Sequence, residues 1–138
     1  MAPESTNAQN TKHTVTFECD WKRYEFLIRL LAGKIKKGPI KFDAVFGIER
    51  GGLLIAVHLS HILKCSYLNN PPLYHQGYLV SPNVLIVDDV SDTGDTLHQY
   101  KDDFSIATLF IKPQTTVIPE YYAQVVPDDT WIIFPWEV

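Results

Sequence analysis

Apolar residues recur at helical spacing near the start of the chain. Those that share one face of a helix with about 3.6 residues per turn are Tyr24, Leu27, Ile28, Leu31 and Ile35. Asp20 precedes them and is a residue type that caps helix N-termini, whereas Gly38 and Pro39 follow them and are typical of a helix end. The pattern predicts an amphipathic helix between Asp20 and Gly38.

The rest of the chain alternates between short continuous apolar runs and a helix-like segment. The continuous runs are residues 44–47, 84–87 and 106–111, and residues 53–63 are helix-like. Continuous apolarity indicates strands that are covered on both faces, as in a parallel sheet with crossover helices. Aromatic and β-branched residues in segments 121–126 and 131–136 predict further strands or a lid. We therefore expect an α/β fold with a mostly parallel central sheet, flanking helices and a small C-terminal segment.

The chain has the size and composition of one domain. It has 138 residues, of which 46% are hydrophobic, and this is enough to bury a single core. Residues 1–13 are rich in Ser, Thr, Asn and Gln and contain few side chains whose burial could offset the entropy of ordering them. We expect a disordered tail over residues 1–13, followed by a single domain over residues 14–138.

Charge and hydropathy argue against several classes of partner. The net charge of −4 provides no domain-wide basic field, so we expect no nucleic-acid partner. No apolar run approaches the roughly 20 residues of a membrane span, and the polar N-terminal residues do not resemble a secretory signal. Cys19 and Cys65 lack a CxxC spacing and are expected to be reduced thiols. We expect a cytoplasmic protein with no membrane partner.

Residues 84–97, VLIVDDVSDTGDTL, combine an apolar strand with an acidic turn that contains glycine. In parallel α/β sheets, ligands bind beyond the carboxyl ends of the strands, where a turn presents backbone N–H groups at the start of the next helix. Thr93 and Thr96 add hydroxyl groups, and Gly94 permits the close approach of a phosphate. Asp88 and Asp89 can accept hydrogen bonds from ribose hydroxyls and help to hold Mg²⁺, which takes carboxylate and phosphate oxygens together. The segment predicts a ribose-phosphate site.

This segment resembles the signature of the type I phosphoribosyltransferases, which is an apolar strand, two acids and a TGxT-like turn. The resemblance implies that Asp88 and Asp89 bind the ribose diol of 5-phosphoribosyl-1-pyrophosphate (PRPP), and that Asp89 is also a ligand of Mg²⁺. It implies a 5′-phosphate site formed by Asp92, Thr93, Gly94, Asp95 and Thr96. Asp92 is also the best candidate for the catalytic group that accepts a proton from the purine N7.

A second turn, GIERGG at residues 47–52, follows a predicted strand and precedes a predicted helix. It is similar to the pyrophosphate loop of the same family, so the resemblance implies that Glu49, Arg50 and Gly51 bind pyrophosphate. Family members often have Ser where this chain has Glu49. The chain therefore places an additional acid near the leaving group.

Two features near the C-terminus resemble the purine-binding parts of the family. Lys112 ends a predicted strand and precedes Pro113, and relatives that handle 6-oxopurines use a lysine in such a KP pair to reach the exocyclic oxygen. Residues 131–137, WIIFPWE, resemble the base-binding segment of xanthine-guanine and hypoxanthine phosphoribosyltransferases. The resemblance implies that Lys112, Trp131 and Ile132 bind the purine. The alternatives are an exposed lysine and an ordinary core tryptophan.

Residues 66–83 depart from the family, because relatives commonly carry a longer flexible hairpin there that closes over the reaction. No Lys or Arg occurs between Cys65 and Tyr100. Pyrophosphate would then be neutralised mainly by Mg²⁺, Arg50 and backbone amides, unless a neighbouring subunit supplies cations.

The resemblance predicts a Mg²⁺-dependent phosphoribosyltransferase of purine salvage, a glycosyltransferase that joins N9 of guanine, xanthine or hypoxanthine to C1′ of PRPP and releases pyrophosphate. It also predicts a homo-oligomer, either a dimer or a tetramer. One alternative is a regulatory module that senses PRPP or a nucleotide without chemistry, although such a module would not need Lys112 with Trp131. Another is an enzyme for a pyrimidine or nicotinate-like base, which the KP and WIIFPWE segments disfavour.

Overall fold

The computed structural model describes residues 15–72, 74–75, 78–79 and 83–137, so the predicted tail over residues 1–13 lies outside the described residues. Two α-helices are present there, α1 (Trp21–Lys37) and α2 (Gly51–Leu63). The strands, in chain order, are β1 (Val15–Glu18), β2 (Ala44–Gly47), β3 (Ser66–Tyr67), β4 (Tyr74–His75), β5 (Tyr78–Leu79), β6 (Val84–Ser91), β7 (Ser105–Ile111), β8 (Tyr121–Val125) and β9 (Thr130–Ile133). Short 3₁₀ helices span His98–Tyr100 and Pro135–Glu137.

The central sheet has five strands in the order β3-β2-β6-β7-β8, and every neighbouring pair is parallel. Strands β1 and β9 form a separate parallel pair, and β4 and β5 form an antiparallel pair. The continuous apolar runs predicted as strands correspond to β2, the first half of β6 and most of β7. The predicted α/β class with a mostly parallel central sheet is confirmed.

Helices α1 and α2 cover one face of this sheet. The α1 helix begins as predicted, because the Asp20 carboxylate accepts a hydrogen bond from the Arg23 N–H at 2.7 Å. It ends at Gly38, whose N–H donates to the carbonyl oxygen of Ile35 at 3.1 Å. All five apolar residues of the predicted face are buried. None of the helices in the described part of the chain has the length and apolar character needed to span a bilayer.

The other face of the sheet is covered by the connection between β6 and β7, whose described residues contain no α-helix, although ligand-binding turns in parallel α/β sheets commonly precede one. After the turn, the connection forms only the His98–Tyr100 3₁₀ helix, and it packs Leu97, Tyr100 and Phe104 against the sheet. A connection between parallel strands needs about a dozen residues. In the connection between β6 and β7, about half of the residues are polar turn residues with low helix propensity. Too little chain remains for an α-helix.

Strand β6 is longer than the apolar run that predicted it. It continues through Asp88 and Asp89 to Ser91, because its backbone pairs with β7 as far as Ile111. Pairing with a neighbouring strand satisfies the backbone of polar residues that the apolar pattern alone would assign to a turn. The two acids therefore lie on a rigid strand.

Candidate active site

The carboxyl ends of β2, β6 and β7 lie at one edge of the sheet, because these strands are parallel neighbours. This edge carries the glycine-rich turn after β2, the acids and turn at the end of β6, and Lys112 directly after β7. Segments that are distant in sequence meet there. This is the place where ligands bind in parallel α/β sheets.

Asp88 and Asp89 lie close together near the end of β6. Asp88 is only 8% exposed, and its Oδ1 accepts a hydrogen bond from the Asp89 N–H at 2.9 Å. Burial, and after it the negative charge of Asp89, raises the pKa of Asp88 to about 8. Burial also raises the pKa of Asp89, and the Glu137 carboxylate adds to that rise. Both shifts favour the protonated forms unless a cation or hydrogen-bond donors compensate the negative charge.

The acid pair offers oxygen ligands of the kind that Mg²⁺ prefers. Mg²⁺ commonly binds one or two carboxylates and completes its octahedral shell with water and substrate phosphate oxygens. Among the residues that the structure describes, no group of three or more His, Cys, Asp or Glu side chains is placed to hold a metal ion. A pair of adjacent carboxylates fits a cation that also takes oxygens from a phosphorylated substrate.

The turn after β2 packs directly against this acid pair. A Cβ atom at Gly51 would overlap the carboxylate of Asp89, so any other residue there would displace that side chain. Arg50 is exposed and occupies the N-cap position of α2, and the peptide between Glu49 and Arg50 is cis. The residues predicted to bind pyrophosphate and ribose are therefore brought together.

Glu49, the acid expected near the leaving group, lies close to the end of β3. Burial, and after it the negative charge of Glu49, raises the pKa of Tyr67. Because Tyr67 is the last residue of β3, the edge strand places a phenol beside this acid.

Residues 90–97 line a cavity of about 60 Å³ at the end of β6. Gly94 adopts a φ of +96°, and a Cβ atom there would also overlap Thr116 Oγ1. Both observations require glycine. The Thr93 carbonyl oxygen accepts hydrogen bonds from the N–H and the hydroxyl of Thr116, each at 3.0 Å. The turn predicted to bind phosphate is therefore held in place by the loop that follows β7.

A second set of hydrogen bonds joins the same two loops one residue before the turn. The Ser91 hydroxyl donates to the carbonyl oxygen of Val117 at 2.7 Å and lies 2.7 Å from the Thr115 hydroxyl. The Lys112 N–H donates to the carbonyl oxygen of Ser91 at 3.0 Å. We call these contacts, together with those between Thr93 and Thr116, the β6–β7 seam.

Lys112 is buried, contrary to the alternative of a merely exposed lysine. It is 3% exposed, and its Nζ donates to Asp92 Oδ2 at 3.1 Å. The Asp92 side chain is 42% exposed, so it borders the open site. Gln114 Nε2 donates to the other oxygen, Asp92 Oδ1. The structure thus joins the predicted catalytic carboxylate to the predicted purine-binding lysine.

Trp131 and Ile132 lie on β9, with Trp131 half-buried and Ile132 buried. The carbonyl oxygen of Ile133 accepts a hydrogen bond from the Cys19 N–H at 2.9 Å, so it faces β1. Because backbone groups alternate in direction along a strand, those of Ile132 face away from β1. They are therefore not used in the pairing of β9 with β1, and the contact of Ile132 with a base stays a prediction.

Comparison with known proteins identifies the family of the chain. It is 31% identical to the xanthine-guanine phosphoribosyltransferase of Gluconobacter oxydans, over 94% of this chain and 90% of that protein. It is 30% identical to the enzyme of the same name from Cereibacter sphaeroides, over 91% of this chain and 89% of that protein. The chain belongs to the xanthine-guanine phosphoribosyltransferase family. The resemblance found in the sequence is confirmed, although no protein-family model matches the chain.

Solved structures agree with this assignment. The purine phosphoribosyltransferase of Pyrococcus horikoshii superposes with a TM-score of 0.71 at 34% identity, covering 91% of this chain and 95% of that one. The xanthine-guanine-hypoxanthine phosphoribosyltransferase of Helicobacter pylori has a TM-score of 0.70 over 89% of this chain and 94% of that one; at 19% identity it shows the shared fold alone. The phosphoribosyltransferase fold is therefore established for nearly the whole chain.

Two side chains of this xanthine-guanine phosphoribosyltransferase family member were not singled out from the sequence. Gln114 contacts Asp92, and Glu137 contributes negative charge to the surroundings of Asp89. A signal for Gln114 was available, since it lies two residues after Lys112 on the same loop. Glu137 ends the WIIFPWE segment, but its proximity to β6 depends on how the C-terminus folds back.

Proposed function

We propose that this protein transfers the 5-phosphoribosyl group of PRPP to N9 of a 6-oxopurine and releases pyrophosphate. As a family member it is a phosphoribosyltransferase of purine salvage and thus a glycosyltransferase. The observation that carries the choice of base is the buried Lys112 in contact with Asp92 at the open edge of the sheet.

PRPP would bind across β6 and the two turns at its end. Asp88 and Asp89 would accept hydrogen bonds from the 2′- and 3′-hydroxyls of the ribose. The turn would hold the 5′-phosphate through backbone N–H groups and hydroxyls, with the residues Asp92, Thr93, Gly94, Asp95 and Thr96. The small cavity within residues 90–97 supports this assignment, because backbone donors of such turns form concave anion sites.

The leaving group would lie over the turn after β2. Arg50, with the backbone of Glu49 and Gly51, would contact pyrophosphate, and the packing of Gly51 against Asp89 supports a shared site. When bound at Asp89, Mg²⁺ supplies charge neutralisation for the pyrophosphate oxygens. The acid pair fits this role, because burial raises the pKa of both carboxyl groups and a bound cation would favour their charged forms.

The purine would lie between Lys112 and Trp131. An ammonium has three donors, so Lys112 can keep its bond to Asp92 and still donate to the purine 6-oxygen. Trp131 would stack on the ring, and the Ile132 backbone would contact its edge. As the bond between C1′ and the pyrophosphate oxygen breaks, positive charge develops at C1′, which the fixed carboxylates stabilise. The N9 lone pair then forms the new bond, and the N7 proton passes to Asp92.

We further propose a cytoplasmic homo-oligomer, either a dimer or a tetramer. The described cysteines, Cys19 and Cys65, are both free, which agrees with a reducing compartment. Trp21 and Phe26 on α1 are each 56% exposed, and large exposed apolar side chains favour association. Sedimentation of the purified protein tests the assembly, and a monomer at all concentrations would contradict it.

The decisive experiment incubates the protein with PRPP, Mg²⁺ and an equimolar mixture of guanine, xanthine, hypoxanthine and adenine, and identifies each nucleotide by mass. We expect 6-oxopurine nucleotides, with little adenine nucleotide. Asp92→Asn is the matched control, since it retains the size of the side chain but cannot accept the proton as a carboxylate does. PRPP binding without any nucleotide formed would instead indicate the sensing module.

A further inference from the structure

Gln114 makes a side-chain contact with the carboxylate that the proposed reaction uses as its proton acceptor. Its Nε2 donates to Asp92 Oδ1, while Lys112 Nζ donates to Oδ2 of the same carboxylate at 3.1 Å. Each carboxylate oxygen has two lone pairs, so each keeps one acceptor position after these bonds form. The carboxylate is therefore held at both oxygens and can still accept a proton.

The loop that carries Gln114 is itself fixed. The Gln114 N–H donates to Asp128 Oδ1 at 2.9 Å, and the Thr115 N–H donates to the carbonyl oxygen of Lys112 at 3.1 Å. The next residues of the loop form the β6–β7 seam. With the backbone fixed in this way, the contact with Asp92 has only the rotamers of the Gln114 side chain left to order.

The need for such a constraint follows from the exposure of Asp92. The Asp92 side chain is 42% exposed. If the hydrogen bond from Lys112 to Oδ2 were its only contact, the carboxylate could still rotate about that hydrogen bond. Proton transfer requires hydrogen-bond geometry in the reacting complex, and small misplacements of a catalytic group are costly. A second donor on the opposite oxygen defines the plane of the carboxylate.

We infer that Gln114 is a positioning residue that fixes the plane of the Asp92 carboxylate for proton transfer from the purine. This role rests on the proposed phosphoribosyl transfer. Gln114 acts through Asp92, so its contribution exists only while the Asp92 carboxylate is present.

The test begins with Gln114→Met, which keeps the length of the side chain but removes the amide donor. We expect kcat to fall on the order of 10- to 100-fold, with the KM for PRPP changed by less than about twofold. Gln124→Met is the matched control, because Gln124 also hydrogen-bonds a charged side chain, that of Arg23, but does so on β8. It should retain the kcat of the unaltered protein, and thermal unfolding verifies that both variants are folded.

A double-mutant cycle separates positioning from a general structural effect. In the Asp92→Ala background, Gln114→Met should cause no further fall in kcat, because no carboxylate remains to be oriented. An equal fold-loss in both backgrounds would overturn the inference, as would a loss that appears only in the KM for PRPP. Gln114→Glu should be at least as impaired as Gln114→Met, since it places a second negative charge against Asp92.

The outcomes distinguish this role from the function on which it rests. If the unaltered protein forms no nucleotide from any purine, the proposed transfer is overturned and the role of Gln114 with it. If the unaltered protein is active and Gln114→Met retains its kcat, only the role of Gln114 is overturned.

Discussion

Asp88→Asn should stabilise the free protein while it weakens PRPP binding. Asn keeps the Oδ1 acceptor that Asp88 offers to the Asp89 N–H at 2.9 Å, and its amide can donate to the Asp89 carboxylate. The substitution removes a charge that burial and Asp89 make unfavourable, as the raised pKa of Asp88 shows. It also removes a strong acceptor for the ribose hydroxyls. Stability and binding should therefore change in opposite directions.

The raised pKa fixes the sign and the pH window of this effect. Asp88 titrates at about pH 8 in the folded protein and at its ordinary value, 3.8, in the unfolded chain. Between these two pKa values the folded protein binds more protons than the unfolded chain, so its free energy of unfolding falls as the pH rises. The contribution of Asp88 to stability is fully present below pH 3.8 and is lost by about pH 8. At about 1.4 kcal/mol per pH unit, the loss reaches on the order of 4 kcal/mol at pH 7, as an upper limit.

Urea unfolding across the pH range from about 5 to about 8 measures the effect. The unaltered protein should lose stability over this range, whereas Asp88→Asn should lose much less. Asp102→Asn is the control, because the Asp102 side chain is 84% exposed and its variant should follow the unaltered protein. Calorimetry should show PRPP affinity reduced about tenfold or more, the scale of a hydrogen bond to a charged group. Parallel pH profiles for Asp88→Asn and the unaltered protein would refute the reasoning.

Three further substitutions test the remaining parts of the site. Thr96→Val should lower the affinities for PRPP and for nucleoside monophosphates by similar factors of about tenfold, measured by calorimetry, because both ligands carry the 5′-phosphate. An unchanged monophosphate affinity would show that this turn does not bind the 5′-phosphate. Lys112→Met should narrow the preference for guanine over adenine in kcat/KM, and an unchanged ratio would remove the lysine from base selection. Gly51→Ala should lower kcat/KM and thermal stability together, because its methyl group overlaps the Asp89 carboxylate, and unchanged values of both would contradict that packing.

Local sequence patterns predicted the helices and strands whose apolar residues are covered by adjacent elements of the fold. The α1 helix followed from one apolar face and the Asp20 cap, and three of the five central strands, β2, β6 and β7, followed from continuous apolar runs. In each case the pattern reflects a surface that is covered by its immediate neighbours. The family resemblance then gave the fold and the reaction class, which the comparisons confirmed.

What sequence could not predict depends on contacts between distant segments. The extension of β6 to Ser91 requires β7 as a partner, and the buried Lys112 has its ion-pair partner, Asp92, in the turn after β6. The contact of Gln114 with Asp92 likewise joins two loops, and the position of Gln114 two residues after Lys112 indicates nearness to the base site but not this contact. The roles of the individual site residues stay predictions until the variants are measured.

The β6–β7 seam also fixes a length. It joins the turn predicted to hold the 5′-phosphate to the loop that begins at Lys112, so the two ends of a bound nucleotide would be held by parts that do not move independently. If the turn holds the 5′-phosphate and Lys112 holds the base, the seam would fix the distance between phosphate and base. Phosphonate analogues with a longer linker could then bind only if the hydrogen bonds of the seam broke. Substituting smaller side chains around the site would not be enough to admit them.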